Sequence, residues 1–153
     1  MIKIYTDGAA QGNPGPGGYG VILKYKDHVK EMSGGFRLTT NNRMELLAVI
    51  TGLKAIKKEG IPVSIYSDSE YVVKAVEQGW LWNWEKKNFK DKKNADLWKQ
   101  YIPLHKKFKP KFHWVRGHAG HVQNERCDYL AVHAAASPGL QIDWEYENSK
   151  NVN

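Results

Sequence analysis

Four acidic residues stand where the sequence pattern sets an element boundary or an apolar helix face: Asp7, Glu45, Asp68 and Asp128. Asp7 follows a β-rich run, "MIKIYT", and Asp68 closes another, "IPVSIYSD". Glu45 falls in the first turn of a long helical pattern and Asp128 in a later one. If the two strands are parallel neighbours, their carboxyl ends meet at the place where open α/β sheets put their sites. A helix entering at that edge would bring Glu45 in. Several carboxylates at one point repel one another and call for a cation, and an all-oxygen set suits Mg2+ or Mn2+. Two such ions about 3.5–4 Å apart can hold the attacking and leaving oxygens of a phosphodiester. Each acid also has an ordinary role. Asp7-Gly8 could form a turn, Glu45 could close a capping box begun by Asn42, Asp68 could N-cap a helix, and Asp128 could be a solvated helix-face acid.

The elements that must position these acids follow from periodicity. After "MIKIYT" comes "YTDGAAQGNPGPGGYG" at residues 5–20, with six glycines. It is not a phosphate loop, since no GKS or GKT follows and the next element reads as a strand. It reads as a hairpin loop whose glycines keep an edge low, so that a ligand can approach the backbone. Val21, Leu23 and Tyr25 alternate as a second strand, residues 26–28 turn, and "VKEMSGGFRL" returns as a third strand broken at Gly34-Gly35. Leu46, Val49, Ile50, Leu53 and Ile56 have helical spacing in a segment ending at Gly60. A fourth strand ends at Asp68, and a short helix closes at Gly79. A helix over residues 95–108 contains Pro103, which removes one helix hydrogen bond. "KFHWV" is a fifth strand, "RGHAGHVQN" a loop and "ERCDYLAVHAAA" a last helix, followed by a polar, acidic tail from Ser137 with no clear element. The order implies an α/β fold, a mixed sheet with helices packed on it.

The chain has 153 residues, enough for one domain with a proper core. No apolar run reaches the roughly 18 residues of a membrane span, and "MIKIYTDG" lacks the pattern of a signal peptide. Cys127 is the single cysteine, which excludes an internal disulfide framework and fits a reducing cytoplasm. The net charge of +7 is localised: residues 85–111 hold ten lysines against three acids, and the remainder balances. Trp80, Trp82, Trp84, Phe89 and Trp98 lie in or beside this block. Basic residues interleaved with aromatics fit a nucleic-acid footprint; a solvated lysine-rich face is the plainer alternative. A carboxylate cluster beside such a block points to a metal-dependent nuclease.

Five separated motifs, "YTDGAAQGNPGPGGYG", "TTNNRMEL", "IYSDSEYV", "KNADLW" and "WVRGHAGHVQNERCD", together resemble type 1 ribonuclease H of the bacterial ribonuclease HI kind. The resemblance covers residues 1–136, taken as the catalytic domain, with 137–153 as a tail. It implies a ribonuclease H-like fold, a five-stranded mixed sheet in the order 3-2-1-4-5 with helices on both faces. It implies endonucleolytic hydrolysis of the RNA strand of RNA–DNA hybrids, with two Mg2+ ions, for which Mn2+ may substitute, giving 5′-phosphate and 3′-hydroxyl ends. By motif, Asp7, Glu45, Asp68 and Asp128 become metal-binding catalytic carboxylates, with Asp7 bridging, and His118 assists proton transfer or product release. Gly8, Asn13, Asn41 and Asn42 would lie along the minor groove of the hybrid. Thr40 and Asn94 would hold a DNA-strand phosphate, and Trp80, Trp84 and Tyr71 would line the DNA channel. Gln123, Asn124 and Glu125 would sit beside the site, Glu125 within reach of RNA 2′-hydroxyls. Lys86, Lys87, Lys90, Lys92 and Lys93 correspond to the basic protrusion of the family.

Two positions depart from the common bacterial pattern: Leu38 stands where an arginine is frequent, with Arg37 adjacent, and Glu70 replaces a glutamine. The expected partner is a hybrid, with no membrane, and the chain is expected to act as a cytoplasmic monomer. Two other classes compete, a hybrid- or duplex-binding module with a dead site and an integrase-type strand-transfer enzyme. The four intact carboxylates weigh against the first, and the "GHAGH" loop with the protrusion against the second.

Overall fold

A computed structural model of the protein describes residues 1–117 and 121–150, the last of these by its backbone alone. Its strands are β1 (Ile2–Ala10), β2 (Gly15–Tyr25), β3 (His28–Thr39), β4 (Val63–Ser67) and β5 (Lys111–Trp114). They form a five-stranded sheet in the order β3-β2-β1-β4-β5 among the described residues, as expected. β1 pairs antiparallel with β2 and parallel with β4, while β4 pairs parallel with β5. The helices are α1 (Asn41–Lys54), α2 (Glu70–Glu77), α3 (Trp80–Lys86), α4 (Ala95–Phe108), α5 (Val122–Ala135) and α6 (Trp144–Lys150).

Helices cover both faces because strand side chains alternate. Val21 and Ile4 meet Gly52 of α1 on one face, whereas Gly18 and Gly20 lie under α5 on the other. Ile4, Val21, Leu46, Val49, Ile50, Leu53 and Ile65 are buried in the core, which α4 extends through Trp98 and Tyr101.

The glycine run has a different purpose from the one its composition suggested. Residues 15–20 belong to β2, so the loop is confined to residues 11–14. A Cβ at Gly18 would fall on the Ala131 carbonyl, and one at Gly20 on that of Cys127. At Gly8 it would meet the backbone of Met44 and Glu45. These glycines let helices close on the sheet; they do not lower an outer edge for a ligand.

Other boundaries also move. Asp7 lies inside β1, which runs three residues further to Ala10. β3 passes through Gly34-Gly35 without a break, and the register shift in its pairing with β2 lies between Gly15 and Gly17 of β2. α1 stops at Lys54, before Ile56, and Gly60 takes a left-handed turn (φ 82°). The aromatic run leading into the basic block, Trp80–Lys86, forms α3, which alternation and turn signals did not reveal. Pro103 is accommodated within α4 on its exposed side, where water can replace the lost donor. Val122 to Asn124 are the first turn of α5, not loop. The tail is not featureless: Gln141 bridges Phe36 beside β3, and α6 follows.

Candidate active site

The site arises where β1 and β4 part. Their parallel pairing ends at Tyr5–Tyr66, after which β1 continues with β2 alone and β4 leaves the sheet beyond Ser67. The notch holds Asp7 on β1 and Asp68 just past β4, and α1 delivers Glu45 from above. One carboxylate oxygen from each of Asp7, Glu45 and Asp68 lies within 4.8 Å of the others. Asp128, on the exposed side of α5, lines the same cleft with Gly8, Asn41, Asn42, Glu70 and Tyr71.

Local structure removes two ordinary explanations. The N-cap of α1 is Thr40, whose Oγ1 accepts from the Arg43 amide at 3.2 Å, so Glu45 closes no capping box. The N-cap of α2 is Ser69, whose Oγ accepts from Val72 at 3.2 Å, so Asp68 is not the cap. The Trp114 indole donates to the Asp68 carbonyl at 3.2 Å and ties the end of β5 to this corner.

The cluster is electrostatically costly. At this separation two charges repel by about 3–4 kcal/mol per pair at an effective dielectric constant of about 20. Burial, then the Asp68 carboxylate, push the Asp7 carboxyl up to about 8; the Gly8 amide at 2.9 Å opposes this, and Asp128 adds to the rise. Burial, followed by Asp7 and Asp68, raises Glu45 well above the usual carboxylate range. Glu45 Oε1 is buried without a hydrogen-bond partner among the described residues. Hard carboxylate oxygens, crowded and short of donors, fit a divalent cation.

Beside the cleft runs a groove of about 660 Å3 lined by Asn13, Thr40, Asn42, Lys92, Lys93 and Asn94, with Arg43 in its wall. Arg43 is 4% exposed, and each of its five N–H donors is used. Nε and Nη2 reach Asp143 at 2.8 and 3.0 Å, Nη1 and Nη2 reach Asp96 at 2.9 and 2.8 Å, and Nη1 reaches Asn94 Oδ1 at 3.4 Å. Asn94 Nδ2 in turn donates to the Tyr71 hydroxyl at 3.2 Å, as does Trp98 Nε1 at 2.8 Å. Trp84 stacks on Tyr71 with centroids 6.5 Å apart, and Lys92 Nζ lies 5.3 Å from the Trp84 ring. Cleft and groove are thereby joined through Tyr71.

The RNase H family pattern matches residues 1–136. A ribonuclease H from Desulforamulus reducens is 55% identical over 147 residues, covering 93% of this chain and 92% of that protein. The chain belongs to the ribonuclease H family. Among solved structures, LC9-RNase H1, a type 1 RNase H with the type 2 active-site motif, is 32% identical with a TM-score of 0.77, covering 97% of this chain and 79% of that one. LC11-RNase H1, solved in complex with an RNA/DNA hybrid, is 27% identical with a TM-score of 0.69, covering 88% of this chain and 96% of that one. Ribonucleases H cleave the RNA strand of RNA–DNA hybrids, and this chain is an endoribonuclease of that kind.

Within this ribonuclease H the expected site residues separate into groups. Asp7, Glu45, Asp68 and Asp128 converge on one cleft; His118 lies outside the described residues. Asn13 Oδ1 accepts from the Asn41 amide at 3.0 Å and Asn41 Oδ1 accepts from the Ala10 amide, and both side chains are exposed. Lys86, Lys87, Lys90, Lys92 and Lys93 are exposed around α3 and the segment after it, and Trp80 is 41% exposed. Gln123 is half-buried and Glu125 exposed, and neither lines the carboxylate cleft. Asn124 is a correction. It is fully buried, and its Nδ2 donates to the carbonyls of Tyr66 at 3.1 Å and Thr6 at 3.5 Å. It pins α5 into the notch and does not face a substrate. Sequence reasoning missed Arg43, Asp143 and Trp114, because an arginine in a helix and an acid in a polar tail carry no local signal of their partners.

Proposed function

We propose that the carboxylate cleft holds two divalent ions, Mg2+ with Mn2+ as a substitute, on Asp7, Glu45, Asp68 and Asp128, and that a hybrid lies across cleft and groove. The observation that carries this is the convergence of Asp7, Glu45 and Asp68 within 4.8 Å in a buried notch. When bound, the ions would supply an activated water and offset charge at the departing 3′ oxygen. The chain's own part would be to hold those oxygens on β1, α1, the end of β4 and α5, with Asp7 as a ligand shared by the ions. No side-chain nucleophile is involved, and the products carry 5′-phosphate and 3′-hydroxyl ends. His118 assists proton transfer or product release.

The Nδ2 amides of Asn13 and Asn41, with Gly8 and Asn42, are short polar groups suited to the minor groove, where an RNA strand presents 2′-hydroxyls. Arg43 has no donor to spare, so Lys92 and Lys93 provide the groove with cations for a DNA-strand phosphate, beside Thr40 and Asn94. That LC11-RNase H1 has been solved with an RNA/DNA hybrid supports this placement. No described helix is long and apolar enough to cross a membrane; the enzyme is proposed to act as a cytoplasmic monomer. Labelled hybrid, single-stranded RNA and duplex DNA, each incubated with Mg2+, Mn2+ or EDTA, test the reading. Cleavage of the hybrid's RNA alone, lost in EDTA and in Asp7→Asn, is expected; full turnover by Asp7→Asn would refute the metal site.

A further inference from the structure

The segment beyond residue 136 is built into the groove wall. Asp143 is 8% exposed and accepts from Thr39 Oγ1 at 2.8 Å as well as from Arg43. One helical turn on, Glu147 receives a two-pronged bond from Arg37, Nε at 2.9 Å and Nη2 at 2.8 Å. Arg37 and Thr39 lie two apart on edge strand β3, so one side of that edge is bonded to one side of α6. Between these anchors Glu145 and Tyr146 line the groove together with Lys92 and Lys93. Of the acids of α6 and its lead-in, Asp143 and Glu147 are thus bonded to arginines, while Glu145 shares the groove lining with Lys92 and Lys93.

We propose that α6 is an electrostatic restraint on the DNA-strand groove, in which Glu145 opposes Lys92 and Lys93 and Glu147 withholds Arg37 from the nucleic-acid backbone. The Arg37 side chain is 56% exposed, and its fork matches a phosphate as well as it matches the Glu147 carboxylate. Glu147 holds the place that a backbone phosphate would take. The restraint limits affinity for any polyanion and favours release after cleavage. It rests on the reading that the groove takes a DNA-strand phosphate.

The test is hybrid binding in EDTA, by fluorescence anisotropy over a range of salt, together with steady-state cleavage in Mg2+. Glu145→Gln and Glu147→Gln leave Asp143, the buried anchor of the helix, untouched, and melting curves verify that each variant folds. Each is expected to bind hybrid about 2- to 5-fold more tightly at low salt, the size of an exposed charge effect. The gain should shrink as salt rises, and KM should fall by a similar factor without a rise in kcat. Lys92→Ala with Lys93→Ala tests the underlying groove. If those lysine changes weaken binding while the glutamine variants leave it unchanged or weaker, α6 is only a structural clasp and the proposal is overturned with the groove reading intact. If the lysine changes also have no effect, groove and restraint fall together.

Discussion

Replacing Asp7 by asparagine should stabilise the metal-free protein while it destroys activity. Asp7 is 3% exposed, and its carboxyl is pushed up to about 8 from an ordinary 3.8. An acid with a raised folded-state pKa favours folding fully only below the unfolded pKa, and that contribution is lost as pH rises from there towards the folded value. Between about pH 3.8 and pH 7 the loss reaches at most about 4 kcal/mol, at about 1.4 kcal/mol per pH unit. Water entering the notch beside an ionised carboxylate would offset part of this, so the expected gain for Asp7→Asn at neutral pH is about 1–3 kcal/mol. For a chain of this size that is a rise in Tm of about 3–10 °C. Calorimetry in EDTA should show the gain near pH 7 and little near pH 3.5, where wild-type Asp7 is neutral in the folded state and mostly neutral in the unfolded one. Added Mg2+ should narrow the difference, because an ion that binds only the folded wild-type cluster stabilises it by mass action. No gain at neutral pH, or an equal gain at both pH values, would refute the argument that carboxylate crowding dominates this notch.

Three further outcomes are expected. His118→Ala should lower kcat more than it raises the hybrid Kd; a pure binding defect, seen by anisotropy, would count against a role in proton transfer or release. Changing Lys86, Lys87, Lys90, Lys92 and Lys93 together to alanine should flatten the log Kd against log salt plot by about 2–4 in slope, and an unchanged slope would mean that this face is merely solvated. Asn124→Ala leaves the Thr6 and Tyr66 carbonyls without their buried donor and should cost about 1–3 kcal/mol in denaturant unfolding; loss of hybrid affinity at full stability would instead restore Asn124 as a substrate contact.

Much of the site was legible in the chain because its parts are local. Asp7 and Asp68 follow β-rich runs, Glu45 begins an apolar helix, and the lysines are contiguous. What was misread depended on distant partners. Gly18 and Gly20 look like loop glycines until α5, more than a hundred residues later, is laid across them. Glu45 is three residues from Asn42, a capping spacing, yet Thr40 takes the cap. Asn124 sits among site residues in sequence but is used to close the gap between two diverging strands.

Residue type and spacing alone determined that this chain carries a carboxylate set able to take divalent ions and a basic aromatic block; hybrid cleavage came from the resemblance of its motifs to those of ribonuclease H. Those are properties of short segments, in which side-chain chemistry and periodicity are already present. Tertiary structure decided how the acids share a charge, since crowding and burial exist only once β1, β4 and α1 meet. It also decided that the acidic tail belongs to the groove. Arg43 can use all five donors only when α1, α4 and the lead-in to α6 are brought together around it, and no local pattern encodes that meeting.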